Sequence, residues 1–255
     1  MKEQGILQAI FNLDNEIDLN RAFAEPSLVK NSIMKSINAK GNLLTANSIV
    51  YMCYDNSNIV HYPKLKVTTN RISSPFHKTN ANYLNLDLLD SSSLSFLNCY
   101  SLEKIDSKNA FNSLSRQFEN NNKLKQFPKI NLNQSVNNDL SKLLVNDSYL
   151  KPTNLDLSQN INLKSLGIYG NSTHRIDGLK SVIVSNQAPF DSTTSPQINV
   201  SYTGLDKTAL INLFNSLPTV SNGQIISIIG CIGTSLLTND DKAIATNKGW
   251  TLQDS

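Results

Sequence analysis

Cysteine is scarce and scattered. Cys53, Cys99 and Cys231 are the only three, and no two share a CxxC spacing. This excludes a disulfide framework and a paired-cysteine zinc site, and leaves buried free thiols as the reading. Histidine is as rare. His61, His77 and His174 stand apart from one another and from any Cys or carboxylate at ligand spacing. Charge is low, at 17% of residues, and nearly balanced, with 23 Lys and Arg against 20 Asp and Glu. A formal +3 with no basic cluster leaves no footprint for nucleic acid. No apolar run approaches the length of a membrane span. The N-terminus, Met1-Lys-Glu-Gln-Gly-Ile-Leu-Gln-Ala-Ile10, has polar breaks in its apolar run and no small-residue cleavage site. It therefore reads as lacking a secretory signal, which predicts a soluble protein made in a cytosol.

Asn and Ser supply the missing polarity. About one residue in seven is Asn, well above ordinary usage. Two causes fit. Asn and Ser side chains bond neighbouring backbone groups and so favour turns. An AT-rich genome also raises Asn, together with Lys and Ile.

From about residue 82 the chain carries leucine-spaced segments. The clearest is Leu163-Lys-Ser-Leu166-Gly-Ile168-Tyr-Gly-Asn171, with the LxxLxLxxN spacing of a leucine-rich repeat. The spacing predicts that Leu163, Leu166 and Ile168 point into a shared core and that Asn171 bonds the backbone at the following turn. Looser copies begin at Leu94, Leu102, Leu124, Leu140 and Leu179, and Ile198-Asn-Val200 starts a last rung. A chain of this kind presents a surface and seldom carries chemistry.

Residues 1–80 read differently, as a small α+β region. Ser27 is placed to cap a helix bearing Leu28, Val29, Ile33, Met34 and Ile37. Ile6, Ile10 and Leu13 fit a shorter helix. Ser48 to Tyr54 and Ile59 to Tyr62 read as a hairpin around Asp55-Asn-Ser-Asn58. At the other end, Leu205, Ala209, Leu210, Leu213 and Phe214 predict one face of a helix that Pro218 stops. Gln224 to Ile229 predicts a final strand after the Asn222-Gly223 turn. Thr238-Asn-Asp-Asp241 opens a short helix running from Lys242 to Asn247 and ended by Gly249, and Trp250 is expected to pack back onto the end.

Asn98-Cys-Tyr-Ser-Leu-Glu-Lys-Ile-Asp106 resembles the NCSSLxxID unit of BspA-like leucine-rich repeats, found in bacterial surface proteins and in tailed-phage proteins. Leu124-Lys-Gln-Phe-Pro-Lys-Ile130 is similar to its LxxFPxI variant. The tail, Val200 to Val220 followed by Ala243-Ile-Ala-Thr-Asn-Lys-Gly-Trp250, looks like the segment that closes those proteins, in which a helix, a strand and a KGW turn seal the open end. The resemblance covers roughly residues 94–252 and implies an α/β fold. That fold is an irregular leucine-rich-repeat solenoid over 81–255, with a C-terminal helix-strand-helix cap from about residue 200; the small α+β region, or docking arm, read over 1–80 precedes it and lies outside the resemblance. It implies a binding or structural surface with no catalytic residue to carry over.

Other candidate sites have structural explanations. His174-Arg-Ile-Asp177 lies in an Asn/Ser-rich loop. Asp240-Asp241 stands where carboxylates favour a helix start. Gly230-Cys-Ile-Gly233 lacks the third glycine and the helix of a dinucleotide loop and reads as a tight turn. Asn133, Asn146, Asn171 and Asn199 open N-glycosylation patterns that this composition produces by chance. No catalytic, cofactor-binding or metal-binding residue is assigned, and no cofactor.

The expected function is a non-enzymatic phage virion structural protein: a tail, baseplate or head-decoration component. It would be made in the host cytoplasm and attached to other virion proteins, or to sister copies as a homo-oligomer, through residues 1–80. Its repeats would face a host receptor, a glycan or a neighbouring subunit. The alternative is a bacterial BspA-like surface adhesin, which normally needs an export signal and an anchor.

Overall fold

The computed structural model describes residues 7–11, 17–18, 34–39, 43–48, 60–68, 76, 80–88, 96, 98–107, 118–119, 121, 123–125, 139–146 and 149–255, the last without 194 and 222. Within them the protein is a mixed α/β chain of short strands and few helices, and every strand pair is parallel.

The strands are β1 (Leu7–Phe11), β2 (Ile17–Asp18), β3 (Met34–Ala39), β4 (Leu43–Ser48), β5 (Lys64–Val67), β6 (Tyr83–Leu88), β7 (Lys104–Ser107) and β8 (Phe118–Glu119). They continue as β9 (Asp139–Val145), β10 (Thr153–Leu157), β11 (Ser165–Tyr169), β12 (Leu179–Val184) and β13 (Ile198–Asn199). Helix α1 (Lys207–Ser216) precedes β14 (Ile225–Ser227), and α2 (Asn239–Thr246) precedes β15 (Thr251–Gln253).

Sheet order follows chain order. β2, β4, β5, β6 and β7 form one sheet, and β8, β9, β11, β13, β14 and β15 another. β1 pairs with β3, and β10 with β12. From β9 to β13 the chain visits the six-stranded and two-stranded sheets alternately. Backbone bonds link further levels: Asn82 O accepts from Glu103 N, Glu103 O from Lys125 N, and Lys125 O from Lys151 N. One cluster of buried side chains extends from Ile37 to Trp250. Parallel strands need long crossovers, and laying each strand in the same direction beside an earlier strand of its sheet meets that need.

The leucine pattern points inward as expected. Leu163, Leu166 and Ile168 are buried, and Asn171 Oδ1 accepts from the backbone N of Thr173 and of His174, both at 2.9 Å. Phe96, Cys99, Leu102 and Ile105 are buried at spacings of three. Several asparagines serve turns. Asn98 and Asn146 adopt φ of 59° and 62°, a left-handed conformation that Asn tolerates better than most side chains. Asn199 Oδ1 accepts from Ser201 N at 3.0 Å.

Where they are described, the two segments expected as N-terminal helices are strands, and residues 6 and 12–13 of the shorter one lie outside the described residues. Leu7–Phe11 and Met34–Ala39 are strands that pair with each other, and Ser36 makes a parallel bridge to His61. Pairing across the chain overrides the three-and-four spacing of Met34 and Ile37, which a strand also accommodates. Residues 27–33 of the expected helix and 49–59 of the expected hairpin lie outside the described residues. Among the described residues of 1–80 there are strands and no helix, and β5 pairs with β6 across position 80.

The C-terminal elements form from local signals. Asp206 Oδ1 accepts from Ala209 N at 2.8 Å and caps α1, an arrangement that satisfies an orphan helix amide. Leu205, Ala209, Leu210, Leu213 and Phe214 are buried. Thr238 and Asp241 make a reciprocal capping box at α2. Gln224–Ile229 supplies β14 at Ile225–Ser227, but β14 is not the final strand, because β15 pairs beyond it.

Lys248-Gly249-Trp250 has a physical reason at each position. Lys248 Nζ donates to the carbonyls of Phe214, Asn215 and Leu217 at 3.0, 2.7 and 2.8 Å, closing the end of α1. Burial pushes its amine down from its ordinary value. Gly249 has φ +87°, and a Cβ there would stand 2.0 Å from Val220 O. Trp250 is 2% exposed, donates Nε1 to Pro218 O at 2.9 Å and meets Phe190 edge-on at 5.4 Å.

Candidate functional site

The five-stranded sheet turns one set of side chains inward and another to solvent. Leu44, Ala46, Leu65, Val67, Leu84, Leu86 and Ile105 are buried. The residues between them, Leu43, Thr45, Lys64, Lys66, Tyr83, Asn85, Lys104 and Asp106, are exposed or half-buried. This period-two alternation is the mark of a sheet with one wet face. Register sets Leu43, Lys64, Asn85 and Asp106 in one row, with Tyr83 beside Lys104 in another.

The row ends in a polar cluster. Tyr83 Oη donates to Asp106 Oδ2 at 2.9 Å, and Lys104 Nζ donates to the same oxygen at 3.0 Å. Lys104 Nζ also lies 5.8 Å from the Tyr83 ring centroid. Burial, then the hydrogen bond to Asp106, raises the Tyr83 phenol above its ordinary value. Nearby, Lys125 Nζ donates to Glu103 and holds that carboxyl below its ordinary value. Surface ion pairs of this kind add little stability. Their bonds set the positions of these side chains on the wet face. No leucine-spacing rule finds these residues. Their signal is the alternation of Lys64-Leu65-Lys66-Val67 and Tyr83-Leu84-Asn85-Leu86.

Elsewhere the structure assigns scaffold roles. Arg175 donates to Asp177 Oδ1 at 3.1 Å, Gly230 O at 2.7 Å and Thr203 O at 3.2 Å, so one guanidinium ties three successive levels. His174 is exposed and Ile176 buried, which separates the quartet His174–Asp177. Cys99 Sγ donates to Phe76 O at 2.7 Å and Cys231 Sγ to Val200 O at 3.0 Å, and both thiols are buried. Burial raises the Cys231 thiol above its ordinary value, which opposes thiolate chemistry. Gly230 to Gly233 is a turn against α1, where a Cβ on Gly233 would stand 2.2 Å from Lys207 N. Asn171 Nδ2 donates to Asn146 Oδ1 at 3.0 Å, so these two glycosylation-pattern asparagines bind each other. Cys53, His77 and Asn133 lie outside the described residues. Among the described residues no group of three His, Cys, Asp or Glu is placed to hold a metal ion, and no helix is long and apolar enough to cross a membrane.

Comparison with family models, with curated proteins and with solved structures finds no match to this chain.

Proposed function

We propose that the chain is a non-enzymatic repeat protein, a solenoid of BspA-like leucine-rich repeats that serves as a virion structural component. In this reading the wet face of β4–β7 docks on neighbouring virion proteins. The observation that carries the docking reading is the alternation on that sheet. It leaves a broad polar face with Lys64, Lys66, Tyr83, Lys104 and Asp106 on adjacent strands. Support for the solenoid comes from parallel strands stacked in chain order. For its capped end, support comes from α1 packed on β12 and from Lys248 and Trp250 closing the tail. The virion setting rests on the resemblance of residues 94–252. The attaching region then includes β4 and β5 of residues 1–80 and continues into β6 and β7. A wet, partly charged face suits protein contacts made by complementarity of charge.

The test is cofractionation. Particles from a lysate of the producing cells are banded on a density gradient and probed for the chain. It is expected in the particle band, and Lys64→Glu/Lys66→Glu/Lys104→Glu should lose at least about tenfold in incorporation, with the melting temperature held. A chain confined to the top of the gradient defeats the virion reading. Full incorporation of the folded triple variant defeats the docking face.

A further inference from the structure

One loop of the chain departs from its neighbours. Register advances 28 residues from Ile198 to Ile226 and 26 from Ile226 to Leu252, but 32 from Leu166 to Ile198. Within that long interval, Phe190, Asp191, Ser192 and Gln197 form one wall of an open cleft of about 270 Å³, and Gly223, Gln224 and Ile225 form the other. Gln197 joins the walls: its Nε2 donates to Ser192 O at 3.1 Å, and its Oε1 accepts from Ile225 N at 2.8 Å. The loop is anchored to the preceding level by Phe190 N on Leu163 O, at 3.1 Å, and by Lys164 Nζ, 3.5 Å from Asp191 Oδ1.

The backbone at the loop's start is strained. Phe190 has φ +42°, a conformation that a bulky side chain rarely adopts. It is held there by complete burial and by the edge of Trp250. Strain that the surroundings enforce, beside a preformed opening, marks a loop shaped for more than stacking. Insertions in repeat arrays map to loops on one face, often the binding face.

We infer that this cleft binds a neutral sugar unit of a glycan. Its lining includes Asp191, Ser192, Gln197 and Gln224, side chains that carry both donors and acceptors, and a carboxamide such as that of Gln197 has a second N–H and a second lone pair beyond its bonds to Ser192 O and Ile225 N. Adjacent sugar hydroxyls donate and accept together, and carboxylates and carboxamides match them in pairs. Lys164 offsets the charge of Asp191, so the cleft favours neither an anion nor a cation. The volume suits one or two rings rather than a folded partner. An extended peptide would need an open strand edge. Ile225 N is already held by Gln197, and β13 lies between β11 and β14.

The cleft shares no residue with the docking face, so the two readings fail separately. The test is saturation-transfer NMR on the full chain with glucose, galactose, mannose, rhamnose and N-acetylglucosamine, with glycerol as the polyol control. At least one sugar should give transfer where glycerol does not. Its apparent Kd should rise at least about tenfold in Asp191→Ala and in Gln224→Ala, the scale of one lost charged or buried hydrogen bond, and stay unchanged in Lys180→Ala. Asp191→Asn, which keeps the side chain's shape, guards against a folding defect and should still weaken binding. The inference is overturned if no sugar in the panel gives transfer, if glycerol matches the sugars, or if folded Asp191 and Gln224 variants bind as the wild type does.

Discussion

From Leu44 to Leu65, Leu65 to Leu86 and Leu84 to Ile105 the register advances by 21 residues each time. Alternation of buried and wet residues and a backbone ladder account for that sheet. From Leu140 to Leu252 the step varies between 24 and 32 residues. There the loops of unequal length are pinned by individual side chains: Arg175 across three levels, Gln197 across the cleft and Lys248 on the end of α1. Equal steps let the backbone set the geometry, so side chains on the wet face are free to vary. Unequal steps bring non-repeating carbonyls to the surface of the stack, and each needs its own donor. The two regions should therefore tolerate loss of apolar bulk equally badly and differ in how they tolerate loss of a polar group.

The largest effect tests the equality. Trp250→Ala should cost about 3–5 kcal/mol and Leu86→Ala about 2–5 kcal/mol in urea denaturation. A cost under about 1 kcal/mol for either would show that its region is not part of the continuous core. The next tests the difference. Arg175→Met should cost about 1.5–3 kcal/mol, since Gly230 O and Thr203 O lose a charged donor. Comparable loss from Lys66→Met would remove the contrast.

The α2 start gives a pH signature. Lys207 beside Asp241, with bonds from Thr238, lowers its carboxyl to about 2. A depressed carboxyl favours the folded state above the ordinary carboxylate range, near 4, and loses that contribution as pH falls through about 2. Melting temperatures of wild type and Asp241→Asn should differ at neutral pH and converge in strong acid. A gap independent of pH would show that Asp241 acts by shape alone. The smallest effect is Lys66→Ala, within about 0.5 kcal/mol either way.

Legibility in the sequence follows the distance between partners. Helix α1 was readable from Leu205, Leu210, Leu213 and Phe214 with Pro218 behind them, and the start of α2 from Thr238 and Asp241, because both signals are local. Met34 and Ile37 gave the wrong periodicity because their strand is defined by β1, where Ile10 pairs with Asn38. No local pattern announces a parallel partner that far along the chain. Arg175 and Gln197 were unreadable for the same reason: Arg175 reaches Gly230 and Gln197 reaches Ile225. The wet face of β4–β7 had a readable alternation, but a search by leucine spacing passes over Lys64-Leu65-Lys66-Val67.

Val184, the last residue of β12, donates its amide to Ser216 Oγ of α1 at 3.2 Å, and that hydroxyl in turn donates to Leu213 O at 2.8 Å. A parallel strand whose amides stay open is a template on which any extended chain can grow, and stacked sheets of this type are prone to fibre formation. With the amide already engaged and a helix lying against the strand, an incoming chain meets a side chain that cannot extend the ladder. Ser216 thus takes one ladder amide at the end of β12 out of reach of an added strand, and α1 covers the strand beside it.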